Sequence, residues 1–95
     1  MAERYGTEVS FRLGPDGGVR AREIAAELAA AAAGCDRHVL FLAEDAGEYG
    51  CLAEWTDAAA ASEFAHRQAT VAALGRIEEL TGKPARVRLY AMETQ

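Results

Sequence analysis

Residues 7–13 alternate with a period of two: Thr7, Val9, Phe11 and Leu13 fall on one side, and Glu8, Ser10 and Arg12 on the other. Such alternation predicts a half-buried strand. It stops at Gly14-Pro15-Asp16-Gly17-Gly18, where glycine accepts positive φ and Pro and Asp favour turn positions. Over residues 19–33 the period changes. Ile24 and Leu28 stand four apart in an Ala-rich stretch, with Arg22, Glu23 and Glu27 off that stripe, which predicts a helix with a narrow apolar face, closed by Gly34.

Two extended runs follow, residues 38–44 and 48–55, joined by Asp45-Ala46-Gly47, and they predict a β-hairpin. In the second run Tyr49, Cys51, Ala53 and Trp55 share one face, while Gly50, Leu52 and Glu54 share the other. Thr56 or Asp57 can cap a helix that begins with Ala58-Ala59-Ala60-Ala61. Its expected buried stripe is Phe64, Val71, Leu74, Ile77 and Leu80; Gly75 could bend it, and Gly82 with Pro84 ends it. Residues 86–92 alternate again and form a fourth strand. The order is β-α-β-β-α-β, a single domain over residues 1–95. Right-handed crossovers make it a four-stranded antiparallel sheet with two helices on one face, a ferredoxin-like α+β fold.

Two helices cover only one side of such a sheet. The other side then carries Leu52, Leu40 or Phe41, Tyr90 and Met92 beside Glu8, Arg12, Glu54, Arg86 and Arg88. This mixture suits a subunit contact better than water, so a homodimer formed sheet to sheet is expected.

Composition narrows the classes. The chain has 95 residues, 51% of them hydrophobic and 26% charged, with nine Gly and two Pro, which fits a globular domain rather than a disordered one. Fifteen acidic residues against ten basic ones give a net charge of −5, scattered along the chain, which argues against nucleic acid or an anionic membrane as partner. Cys35 and Cys51 match no metal-ligand spacing and are too few for an iron–sulfur cluster. Met1-Ala2-Glu3-Arg4-Tyr5-Gly6 has no apolar run behind its charges, and no stretch reaches the roughly 18 apolar residues of a membrane span. The expected location is the cytoplasm, with both thiols reduced.

Residues 33–92 resemble the antibiotic biosynthesis monooxygenase-like family. Gly34-Cys35 is similar to that family's Gly-Cys at the end of the first helix, and Cys51-Leu52-Ala53-Glu54-Trp55-Thr56-Asp57 to its strand-to-helix signature of an acidic residue, a Trp and an acidic cap. Phe64-Ala65-His66 resembles the Ala-His pair of its second helix, and Val87-Arg88-Leu89-Tyr90 its closing strand. The resemblance implies a dimeric α+β barrel. It also implies oxygenation of an aromatic polyketide, phenol or quinol with no metal, flavin or other cofactor: the substrate loses a proton, its anion reduces O₂, and the pocket stabilises the anion. The competing class is a non-catalytic dimeric module that binds a small ligand or supports a biosynthetic enzyme. The chain lacks Asn, and Leu74 stands where haem-degrading members carry a helix His, so haem degradation is disfavoured.

Within that resemblance the candidate catalytic residues are His66, as a base near neutral pH, and Trp55, as a pocket wall whose indole N–H could meet a substrate oxygen. The bland alternatives are an exposed helix histidine and a core aromatic. Tyr49, on the face of Trp55, either lines the same cavity or fills it. Arg88 and Tyr90 could bind an anionic oxygen as substrate-binding donors, or serve dimer packing with a salt bridge to Glu54 or Glu8.

Overall fold

The computed structural model describes residues 3–95; Met1 and Ala2, the start of the segment without an apolar run, lie outside them. The elements run β1 (Arg4–Arg12), α1 (Gly18–Ala31), β2 (Arg37–Ala43), β3 (Glu48–Trp55), α2 (Ala58–Phe64), α3 (Gln68–Thr81) and β4 (Arg86–Met92), with a short 3₁₀ turn at Glu44–Ala46 between β2 and β3. The strands form one antiparallel sheet in the order β2-β3-β1-β4. This is the expected ferredoxin-like α+β fold.

The pairing register sorts the faces. Opposite Tyr5, Thr7, Val9 and Phe11 of β1 stand Trp55, Ala53, Cys51 and Tyr49 of β3, and this inner face meets the helices. Val9, Cys51, Ala53 and Trp55 are almost fully buried there, together with Leu28 of α1, Phe64 of α2 and Ile77 of α3. A one-residue slip would turn this whole set toward solvent, so the register is fixed by burial. On the opposite side β2 contributes Val39 and Phe41, paired with Leu52 and Gly50, so the open face carries Phe41 and not Leu40. No helix of the described residues covers that side. The accessible surface of 5805 Å² exceeds the roughly 5,300 Å² typical of a free-standing domain of this mass, as a sheet bare on one face should.

The second helix differs from expectation. Instead of one helix from Asp57 to Gly82, bent at Gly75, there are two, separated at residues 65–67. Asp57 caps α2 by accepting the Ala59 N–H at 2.8 Å. Arg67 then leaves the helix with extended backbone at φ −67°, ψ 142°, and its guanidinium donates to the carbonyls of Ala31 and Ala33 at the end of α1. Those acceptors belong to another element, so tertiary contacts rather than local propensity break the helix. Gly75 stays helical, with open space around it.

The break resets the helical phase. Thr70, Ala73 and Ile77 face the core, whereas Val71 and Leu80, expected in the buried stripe, are 55% and 39% exposed. Val87 and Leu89 lie on the helix side of β4 as expected, yet both stay exposed, because the helical layer stops short of that edge strand.

Two glycines close the far end of the hairpin. Gly47 turns left-handed at φ 68°, and a Cβ there would sit 2.6 Å from the backbone of Gly14. The Gly47 carbonyl accepts the N–H groups of Leu13 and Gly14 at 3.0 and 3.2 Å, which locks the β2–β3 turn against the loop after β1.

Candidate functional site

The open face has an uneven relief. Toward the start of β1, Leu52 and Met92 fold over Gly6, where a Cβ would lie 3.0 Å from the Leu52 side chain. Toward the end of β1 the surface drops into a groove of about 740 Å³. Its floor is Gly50, which has no side chain to fill the space between Phe41 on β2 and Ser10 on β1. Where β4 has not yet begun to pair, the groove reaches round to Phe11 and Tyr49, whose rings stack at 6.2 Å. The Tyr49 hydroxyl donates to the Gly14 carbonyl at 2.8 Å, so this ring is held in place by the same loop that Gly47 grips.

Charge is arranged around this relief. Arg12 is paired with Glu48 across β1 and β3, and Arg37 with Glu54 across β2 and β3 at 3.0 Å. In the middle of the face the Tyr90 hydroxyl donates to Glu8 at 2.9 Å, and Arg88 donates to the Tyr90 oxygen at 3.4 Å. The hydrogen bond to Tyr90 raises the Arg88 pKa further, with lesser help from the charge of Glu8. Of the two carboxylates weighed as partners of this strand, Glu8 is the one engaged, and Glu54 belongs to Arg37. Glu8 also lines the groove, and Tyr90 and Arg88 lie behind it, outside the lining.

The remaining candidates lie elsewhere. Trp55 shares its face with Tyr49 but sits six residues further along β3, roughly 20 Å away at the usual rise of a strand. Its indole N–H donates to the Thr7 hydroxyl at 2.9 Å, Phe64 packs at 5.9 Å, and the Arg67 guanidinium covers the ring at 5.2 Å. His66 stands in the α2–α3 turn rather than within a helix, and its side chain is exposed. Thus Tyr49 closes one end of the groove from the inner face, Tyr90 and Arg88 stand on the open face beyond Glu8 without lining the groove, and Trp55 and His66 lie at the other end of the sheet. His38 points to the helix side of β2, where burial lowers its pKa.

Sequence reasoning carries no signal for the site roles of Arg67, Gly50 and Lys83. It leaves Phe41 beside Leu40 as an alternative for the open face: a three-residue loop would have set Leu40 opposite Leu52, and the observed pairing of Ala43 with Glu48 places Phe41 on that face instead. The role of Arg67 depends on where α1 ends in space and leaves no local signal.

Cys51, at the centre of the inner face, is closed to chemistry: burial pushes its thiol from the usual 9.0 up to about 12. The folded state therefore binds this proton more tightly than the unfolded chain does. Its contribution to stability is intact below pH 9 and is lost as pH rises toward about 12. Urea melts at pH 8, 9.5 and 10.5 should show that decline, and Cys51→Ala should flatten it. Alkylation of Cys51 should wait on unfolding.

Among the described residues no group of three His, Cys, Asp or Glu side chains could hold a metal ion, and no helix is long and apolar enough to cross a membrane.

No protein-family model matches the sequence, and no curated protein matches it significantly. Solved structures do match the fold. A single-residue variant of SnoaB, a cofactor-independent oxygenase from Streptomyces nogalater, superimposes with a TM-score of 0.74 at 19% identity, over 99% of this chain and 97% of that one. A Nitrosomonas europaea protein bearing the antibiotic biosynthesis monooxygenase name gives 0.73 at 12% identity over 97% and 92%. One of the same name from Caulobacter crescentus gives 0.70 at 14% over 98% and 92%. The chain therefore has the fold of the antibiotic biosynthesis monooxygenases, the family that its own residues resemble.

Proposed function

We propose that this protein is a cofactor-independent monooxygenase acting on an aromatic polyketide, phenol or quinol in the cytoplasm, as a homodimer whose open sheet faces meet. The observation that carries the reading is the groove at the end of β1, with Phe41 beside its Gly50 floor, in a chain with the fold of a cofactor-independent oxygenase. A small aromatic ligand lying on Phe41 over Gly50 would have the Tyr49 ring behind that floor, and an ionised oxygen would draw the Tyr90 hydroxyl away from Glu8 and the Arg88 guanidinium toward itself. In the reaction a ring CH₂ gives up a proton, the carbanion passes an electron to O₂, and the two radicals combine to a peroxide that loses water. One O₂ thus converts CH₂ to C=O and releases H₂O. The donors lower the barrier by stabilising the anion, a contribution of about a hundredfold per well-aimed donor.

His66 and Trp55 are the proposed catalytic pair at the opposite end of the sheet. For His66 to be the base, the substrate must reach the α2–α3 turn. Oxygen uptake with a panel of anthrones and quinols tests both the activity and its location. Native protein should exceed the uncatalysed rate, and Tyr90→Phe should lower kcat by one to two orders of magnitude if chemistry occurs at the groove. His66→Ala should lower it comparably if chemistry occurs at the turn. No uptake above background with any substrate would sink the enzymatic reading. The second reading, a non-catalytic ligand-binding or accessory module, is favoured by one observation: the Trp55 indole N–H is already committed to Thr7.

A further inference from the structure

We infer that the groove selects planar aromatic carboxylates over neutral aromatics, with Lys83 and Arg86 as the recognition pair. This rests on the reading of the groove as the ligand site and names the substrate class it takes. The argument is one of charge left over. Both acids that line the groove are engaged, Glu8 by the Tyr90 hydroxyl and Glu48 by Arg12. Lys83 and Arg86 line it too, are exposed, and have no ion pair or side-chain hydrogen bond among the described residues. Among the described residues five of the ten Lys and Arg side chains stand in ion pairs and Lys83 and Arg86 do not; with Arg12 set against Glu48, and Glu8 the one lining acid without a cation, the lining keeps a net charge of +1 in a chain of net charge −5.

The rim is also pre-set. Gly82 ends α3 in the left-handed conformation at φ 77°, and the Thr81 hydroxyl accepts the Lys83 N–H at 3.2 Å and lies 2.8 Å from the Lys83 carbonyl, so the backbone that carries Lys83 is fixed. Arg86 opens β4 opposite Ser10, which on its other side pairs with the Gly50 floor, so one strand separates Arg86 from that floor. A flat ring on Phe41 and over Gly50 would therefore direct an acidic substituent to the two cations. Arg offers a planar fork that matches a carboxylate, and Lys adds a mobile point charge.

Calorimetric titration with 2-naphthoate and its neutral isostere 2-naphthamide tests this directly. Native protein should bind the carboxylate about tenfold more tightly, as two rim-exposed pairs of modest strength allow. The preference should shrink with added salt. Lys83→Met together with Arg86→Met, both at exposed positions, should abolish the preference and leave naphthamide binding unchanged. Gly50→Val should weaken both ligands by filling the floor; a Cβ there meets the Phe41 ring at an ordinary 3.5 Å, so the fold has room for it. Equal affinities in the native protein, a preference that survives the double substitution, or no binding of either probe would each overturn the inference. The oxygenase reading fails separately: absent oxygen uptake with the carboxylate preference intact leaves this site standing.

Discussion

Trp55→Ala should remove about 3–5 kcal/mol of unfolding free energy, the usual cost of deleting a large aromatic from a packed core. For a domain of this size, whose total stability is of the order of 5–15 kcal/mol, that is a large share of the total. Three contacts converge on the indole: Phe64 on one side, the Arg67 guanidinium over the ring, and Thr7 beneath the N–H. Trp55→Phe separates them. It keeps most of the apolar volume but strands the Thr7 hydroxyl, which is 4% exposed, at a cost of about 1–3 kcal/mol. Adding Thr7→Val removes the stranded group, so the double variant should recover part of that loss, and a double-mutant cycle in urea should give a clear coupling energy. A Trp55→Phe variant within 0.5 kcal/mol of the native protein would mean that the indole N–H is not a structural donor.

The second large effect concerns assembly. If the open faces meet in a two-fold dimer, native protein should sediment at twice the 10.1 kDa chain mass at micromolar concentration, and Leu52→Asp should sediment as the monomer. Leu52 lies between Val39 and Glu8 in the sheet and against Gly6, in the apolar half of that face. A carboxylate there would be desolvated without a partner, and an isologous interface suffers the change twice, so dissociation should be favoured by a hundredfold or more, about 3 kcal/mol. Because Leu52 is partly exposed in the single subunit, the circular dichroism of the variant should stay native. A native protein of single-chain mass, or a Leu52→Asp protein still of double mass, would count against pairing through this face.

What could be read from the sequence follows from where its signals are local. Period-two alternation around Val9 and Phe11, and around Cys51 and Ala53, reported strands because one face of each is buried and the other is not. The Leu40 or Phe41 ambiguity persisted because β2 is an edge strand with apolar residues on both sides, and only pairing with Leu52 and Gly50 resolves it. The second helix misled for a different reason. Its Ala-rich sequence favours continuity, but Arg67 finds better acceptors at the end of α1, and that contact spans more than thirty residues. Val71 and Leu80 were assigned to the core on a phase that the break cancels. Tyr49, Tyr90 and Arg88 were singled out for chemistry one by one. That Tyr49 reaches the groove while Tyr90 and Arg88 stop behind Glu8 depends on β1 lying between β3 and β4, which no residue spacing encodes. Lys83 and Gly50 carried no signal, since a lone lysine after a helix and a glycine in a strand are ordinary until the groove brings them together.

The two ends of this sheet are fastened by different means. At one end side chains do the holding, through Trp55, Thr7 and Arg67. At the other, main chain shares the grip, Gly47 on Leu13 and Gly14, with the Tyr49 hydroxyl on the same loop. The outward side chains that line the groove, such as Phe41, Lys83 and Arg86, therefore carry little of the architecture and are free to drift. Such a scaffold can exchange one specificity for another by a few surface changes while its folding determinants stay untouched, a separation of duties that suits a small domain recruited repeatedly to new small molecules.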